Sequence, residues 1–374
     1  MPFCVRRCLY CDFYILPLGD GPPSKRLRDF RSLKHRGYLA ALDRELAALP
    51  RDFRPRTVYV GGGTPTELPP DDLRRLFASL KKHIDFSDVV EFSCEANPGT
   101  LDPEMAQLLA AAGIDRVSLG VQSFDDVQLE SLGRIHNAAD ACRGVRDLRA
   151  AGLRNISVDL LFALPGAGPG VIDTNLAVLA ELQPEHVSWY SLEFEPGTPF
   201  TEMRDKGFLR ENDDEESAGE YAHIRAGLQT LGFEQYELFS FSKPGFACRH
   251  NLNYWLGGEY HGCGPSAHSH VCGKRWSNLP DLAAYLVDPL SAHSPSETLA
   301  PEPKARERLI TSLRLTGGID EEAFAAESGF HPADLLGEAL PRWIRAGWME
   351  RENDCLRLRP EAYLVSDALF RDML

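Results

Sequence analysis

Short apolar runs rich in β-branched residues recur along the first two thirds of the chain. They fall at 57–60 (TVYV), 89–94 (VVEFSC), 117–121 (VSLGV), 156–162 (ISVDLLF), 186–191 (HVSWYS) and 235–241 (QYELFSF). Between them lie stretches whose apolar residues return at helical spacing, at 36–49, 71–84, 138–151 and 215–231. Strands alternating with helices predict βα units and a parallel sheet. Five or more such units in succession predict closure into a barrel or part of one, with a doubly wound sheet as the rival. Residues 16–35 are rich in Pro, Gly and basic residues and predict a mobile surface loop. Residues 288–303 are rich in Pro and Ser and read as a linker. Beyond it, helical runs at 304–315 and 320–328 precede a predicted hairpin turning at Asn353-Asp354, the pattern of a small winged-helix-like domain.

The charge balance narrows the partners. The 374 residues carry 40 Lys plus Arg against 55 Asp plus Glu, a net charge of −15. An acidic surface argues against nucleic acid and against anionic membranes as general partners. The C-terminal segment is itself more acidic than basic, so a winged-helix shape there predicts packing rather than DNA binding. No apolar run approaches the length of a membrane span, and the start lacks the apolar core of a signal peptide. The expectation is a cytoplasmic protein with reduced thiols.

Nine cysteines are present, and three of them, Cys4, Cys8 and Cys11, crowd into a C-x3-C-x2-C triplet. That is ligand spacing. Zinc would need a fourth donor, for which Asp12 and His35 are weak candidates; a [4Fe–4S] cluster would leave one iron open to a small chelating ligand. Gly61-Gly62-Gly63-Thr64-Pro65-Thr66 follows a strand. It lacks the Lys-Ser/Thr of a P-loop and the spacing of a dinucleotide fingerprint. What it offers is close backbone approach. Glu95, Gln122 and Asp159 fall at or within successive strands, pointing towards one mouth of a barrel. Arg134 is a natural counter-charge for Asp159 or for a ligand carboxylate. Four of the eleven histidines, His250, His261, His268 and His270, lie within 21 residues. A metal site from Cys248, His250, Cys263, His268 and Cys272 is a second reading of that region.

CVRRCLYCDF resembles the cluster loop of the radical S-adenosylmethionine (SAM) superfamily. GGGTPT, CEANPGT, GVQSF, LGRIHN, DLLFALPG, HNLNYW and GCGPSAHS extend the resemblance over nearly the whole chain, to the oxygen-independent coproporphyrinogen III oxidase-like family. The resemblance implies a partial parallel (β/α) barrel at 1–240, an H-N-x-x-Y-W segment and linker at 241–300, and a winged-helix-like domain at 301–374. It implies a [4Fe–4S] cluster on Cys4, Cys8 and Cys11, and reductive cleavage of SAM. Tyr10, Gly62, Gly63, Thr64, Glu95, Gln122, Arg134 and Asp159 would contact SAM. True oxidases of this family carry a fourth cysteine two residues after the third; here Asp12-Phe13 follows Cys11 instead. That form, together with Arg249-His250-Asn251-Leu252-Asn253-Tyr254-Trp255, is similar to the heme-chaperone branch. It implies heme contacts from His250, Asn251, Tyr254 and Trp255, and delivery to heme-accepting respiratory proteins. A second copy of the chain stands among the candidate partners. The alternative is an enzyme that oxidatively decarboxylates coproporphyrinogen III to protoporphyrinogen IX, with Arg134 or the basic 17–36 loop on substrate carboxylates, so whether the chain is an enzyme is open. Family members usually open with an extra strand of the form Tyr-Ile-His-Ile-Pro-Phe-Cys, which the Met1-Pro2-Phe3-Cys4 start lacks. The expectation is a start assigned late or a truncated version, and the intact mass of native protein checks it.

Overall fold

Strands β3 (Thr57–Val60), β4 (Glu91–Ala96), β5 (Arg116–Gln122), β6 (Asn155–Phe162) and β7 (His186–Ser191) pair in parallel in chain order. They belong to a computed structural model that describes residues 1–19, 25–168, 170–371 and 373. Before them come the short parallel pair β1 (Phe3–Cys4) and β2 (Leu16–Pro17), and helix α1 (Lys25–Ala47). A parallel ladder needs a crossover between each pair of strands. Helices α2 (Pro70–His83), α3 (Pro103–Ala111), α4 (Asp126–Ser131), α5 (Ala138–Ala150) and α6 (Gly170–Leu182) fill these crossovers. Helices α7 (Pro199–Asp205) and α8 (Asp214–Thr230) follow β7.

Local sequence explains the helix boundaries. The side chains of Asp102, Asp125 and Asn137 accept the N–H groups of Met105, Gln128 and Asp140. Asn137 with Asp140, and Asp213 with Glu216, form reciprocal capping boxes. Each such cap stabilises its helix by about 1 kcal/mol. Proline opens α2 and α3 at a position where its missing N–H costs nothing.

The chain divides into two compact units. The first comprises Met1–Gly232, Gly262–His268 and Ser277–Ser294. Its two returning segments are fastened to α1 by the buried carboxylate of Glu45, which accepts from Tyr285 Oη, Asn278 Nδ2 and Gly264 N. The second unit comprises Phe233–His261, Ser269–Trp276 and Pro295–Leu374. Residues 235–241, predicted as one strand, form a hairpin of β8 (Glu234–Glu237) and β9 (Ser240–Ser242). The hairpin precedes the short helix α9 (Arg249–Trp255). In the C-terminal region helices surround a three-stranded antiparallel sheet. Its last two strands, Met349–Glu352 and Cys355–Leu358, turn at Asn353 and Asp354, both left-handed. This is the helix-plus-wing arrangement expected there.

The segment 16–35, predicted as a mobile loop, is partly regular: Leu16–Pro17 pairs with Phe3–Cys4 and the helix begins at Lys25. Residues 20–24 of that segment lie outside the described residues. The proline-rich 288–303 stretch ends inside a helix that starts at Pro301.

The two faces of the parallel ladder differ in chemistry. Val58, Val60, Phe92, Cys94, Val117, Leu119, Ile156, Val158, Leu160, Val187 and Trp189 alternate on one face, and all are buried. Each large aliphatic side chain there contributes about 1.5–3 kcal/mol by leaving water. The intervening positions are polar. Across neighbouring strands Tyr59 aligns with Ser93, Arg116 and Asn155. Glu95 aligns with Ser118, Ser157 and His186; Gly120 aligns with Asp159 and Ser188. Ser93, Arg116, Ser118, Ser157, His186 and Ser188 are buried as well. The inner wall is therefore polar and desolvated.

Candidate functional site

The cysteine loop is held by two backbone contacts at Leu9, between Cys8 and Cys11. Leu9 N donates to Leu132 O at 3.1 Å, and Leu9 O accepts from Phe200 N at 3.0 Å. Arg7 braces it from within, giving Nη1 to the carbonyls of Cys11 and Phe13 and Nη2 to that of Ile15. Met1 and Phe3 lie against the glycine run. Gly63 N donates to Met1 O at 2.6 Å and Thr64 N to Phe3 O at 2.7 Å. A Cβ on Gly63 would sit 2.5 Å from Phe3 O, so no larger residue allows this approach.

Cys4 Sγ then faces Thr64 Oγ1 at 3.4 Å, and Cys8 Sγ accepts from Arg134 Nη1 at 3.2 Å. Burial pushes the Cys4 thiol up to about 11, with Cys8 and Cys11 adding and Thr64 and Arg134 opposing. Burial also raises Cys11, and Cys8 adds to it. The three thiols thus feel one another across a shared space. Among the described residues no three His, Cys, Asp or Glu side chains close on a single metal ion. The mononuclear alternatives are not assembled: neither Asp12 nor His35 joins the three cysteines, and Cys248, His250, Cys263, His268 and Cys272 form no ligand set. His35 packs edge-on against Phe3 and lies 3.9 Å from Asp72.

Arg134 is half-buried. Its Nη2 donates to Gly120 O at 2.5 Å, and its Nε has no hydrogen-bond partner among the described residues. A half-buried cation with a spare donor beside three thiols fits an anionic group, and thiolate-ligated iron with a carboxylate-bearing ligand is such a group. Tyr10 packs on Phe200, and burial raises its phenol far above the ordinary range. Gln122 sits at a bulge of β5 with φ 73°, and its amide nitrogen lies 3.1 Å from where a Gly120 Cβ would stand.

The carboxylates come from β4 and β6, the two strands that flank β5. Glu95 accepts from Tyr59 Oη at 3.0 Å and Gly62 N at 2.9 Å. Burial raises its pKa against these two donors, and Asp159 adds to the rise. Asp159 accepts from Ser118 Oγ at 2.9 Å and Ser157 Oγ at 3.0 Å. Its pKa also rises through burial, opposed by Arg116 and by Ser118, Ser157 and Ser188. The positive charge that favours ionised Asp159 is that of Arg116, while the expected partner Arg134 is engaged with Cys8 and Gly120. Tyr59, Arg116, Ser118, Ser157 and Ser188 were not legible as site residues. Their signal is the period-two row of polar residues within apolar strands.

The four heme candidates lie on α9 in the second unit and make different contacts. His250 Nε2 is 3.0 Å from Tyr254 Oη, one helical turn on. Tyr254 packs edge-on against Tyr260 at 4.7 Å, and Tyr260 lies 6.0 Å from His270. Trp255 instead lies under the Arg314 guanidinium at 4.7 Å. Asn251 is half-buried on the same helix. A second aromatic–histidine pair, His261 with Trp276 at 5.6 Å, belongs to this unit too.

Comparison with known proteins matches this geometry to a family. The Radical SAM superfamily profile matches residues 1–173, and the HemN C-terminal domain profile matches residues 299–365. The chain is 31% identical to heme chaperone HemW of Lactococcus lactis, covering 100% of this chain and 96% of that protein. It is 30% identical to HemW of Bacillus subtilis over 99% and 96%, and 32% identical to HemW of Mycobacterium tuberculosis over 100% and 93%. The chain belongs to the HemW family of radical SAM proteins. Coproporphyrinogen III oxidase HemN of Escherichia coli shares the fold, with a TM-score of 0.83 at 21% identity over 100% of this chain and 88% of that one. The partial parallel barrel with a winged-helix-like C-terminal domain, expected from the HemW-family motifs, agrees with that likeness. No described helix is long and apolar enough to cross a membrane.

Proposed function

We propose that this chain is a heme carrier on a radical SAM scaffold, which binds heme and delivers it to heme-requiring respiratory proteins from the cytoplasm. The observation that carries this reading is end-to-end similarity to proteins named heme chaperones. The Cys11-Asp12-Phe13 sequence, with no further cysteine two residues on, supports it.

Cys4, Cys8 and Cys11 would hold a [4Fe–4S] cluster, which when bound supplies single electrons to SAM. Tyr10, Gly62, Gly63, Thr64, Glu95, Gln122, Arg134 and Asp159 would line the SAM site. Within it, Tyr59 and Gly62 N fix the Glu95 carboxylate, and the three serines fix Asp159. Arg134 presents its spare Nε–H to an anionic group. Most of these residues are partly shielded from water, which strengthens the charge interactions among them. His250, Asn251, Tyr254 and Trp255 would contact heme, with aromatic rings available for its apolar faces.

The test is anaerobic and uses cluster-reconstituted protein. Heme is titrated while its absorption is followed, and a parallel reaction receives coproporphyrinogen III, SAM and a reductant. Saturable heme binding with no porphyrin conversion is expected. Formation of protoporphyrinogen IX would overturn the carrier reading in favour of the oxidase.

A further inference from the structure

We propose that Arg134 sets the reduction potential of the cluster by donating a hydrogen bond to the sulfur of Cys8, a role separate from any contact with SAM. This rests on the cluster reading above.

The contact joins residues 126 positions apart, and both partners are pinned by backbone. Arg134 follows the turn that closes α4, where its own N–H donates to Leu129 O at 2.9 Å. Its Nη2 is fixed on Gly120 O at the bulge of β5. On the other side, Leu9 N, one residue after Cys8, is tied to Leu132 O of that same turn. Donor and acceptor therefore ride on one braced stretch of backbone, and the Nη2 bond to Gly120 O orients the guanidinium towards Cys8.

The arrangement is asymmetric. Cys4 faces a neutral hydroxyl at 3.4 Å, whereas Cys8 faces a cation at 3.2 Å. Hydrogen bonds to cluster sulfurs, local charge and solvent exposure set the potential of such clusters. Reduction adds negative charge, so a fixed guanidinium favours the reduced form. Arg134 is part-buried and its Nε is shielded from solvent, so water screens its charge less than that of a surface arginine. Its unpartnered Nε leaves one donor over, so tuning through Cys8 and binding of a ligand carboxylate are compatible. In the tuning role Arg134 touches no reacting atom; it is a positioning residue acting through Cys8.

The experiment is a dye-mediated redox titration of the reconstituted full chain, followed by electron paramagnetic resonance with no SAM present. In R134Q the reduced-to-oxidised ratio at a fixed solution potential should fall about tenfold, a shift of about 59 mV for one electron. R134K keeps the charge without the fork, so its shift should be smaller. A second readout uses wild-type protein grown with guanidino-15N arginine. The reduced cluster should show a 15N coupling that R134K loses, and this holds even if R134Q assembles no cluster. An unmoved potential with an intact cluster, or a 15N coupling absent from wild type or kept in R134K, overturns the role of Arg134. Failure of the wild-type chain to take up any cluster overturns the cluster reading with it.

Discussion

Gly61 stands so close to Glu95 that a Cβ on the glycine would lie 2.6 Å from the carboxyl carbon. The next N–H, on Gly62, donates to that carboxylate at 2.9 Å. The G61A variant should push Glu95 off this donor while leaving the strand intact. Hydrogen bonds to charged groups contribute about 1.5–3 kcal/mol, so SAM affinity should fall at least tenfold. Equilibrium dialysis of labelled SAM on the cluster-loaded protein measures it. Unchanged affinity would remove Glu95 from the SAM site.

Replacing Cys8 or Cys11 by Ala should abolish the broad visible absorption of the reconstituted cluster, since three thiolates are the fewest that can hold it with one iron open. An unaltered spectrum in either variant would withdraw that residue as a ligand.

His250 cannot offer Nε2 to iron while Tyr254 occupies it. Breaking such a hydrogen bond costs about 0.5–1.5 kcal/mol net. If His250 binds heme through Nε2, Y254F should tighten binding roughly threefold to tenfold, and H250A should weaken it by about tenfold or more. Heme titrations of both variants decide this. Equal affinities in wild type and H250A would turn attention to His261 or His270.

Acid should destabilise the apoprotein through His136. Burial, helped by Arg134, holds its pKa down to about 3, against an ordinary 6.5. Between those values the unfolded chain binds a proton that the folded chain does not. Stability is therefore fully present above pH 6.5 and is lost as pH falls towards 3, at up to about 1.4 kcal/mol per pH unit. His186, also held low by burial, acts in the same direction. Glu95 and Asp159, raised by desolvation, act oppositely above their unfolded pKa values. Urea unfolding of H136Q between pH 4 and 6.5 should give a flatter dependence than wild type. Parallel slopes would contradict the neutral, buried state of His136.

The parallel strands were legible because their apolar, β-branched runs are bounded by turn residues. Residues 235–241 misled because the hairpin turns at Leu238 and Phe239, which carry none of the usual Gly, Asn or Pro marks. Helix Gly170–Leu182 went unread because it is apolar on most sides and shows no clear stripe. The cysteine triplet was legible because its three members are neighbours in sequence. The contact of Arg134 with Cys8 was not, since it joins loops 126 residues apart. The serines of the inner wall gave a period-two signal, yet polar alternation in a strand usually means a solvent face. Only burial shows that this polar row points inward.

That interleaving separates two tasks at the level of single codons. Odd and even positions of the same strand answer to different demands, one to packing and the other to ligand chemistry. A serine or aspartate on the inner wall can change without disturbing the dry face, and the reverse holds for the valines. A lineage with this arrangement can re-line its cavity for a new small molecule while keeping its fold, and one scaffold can diverge in chemistry faster than in shape.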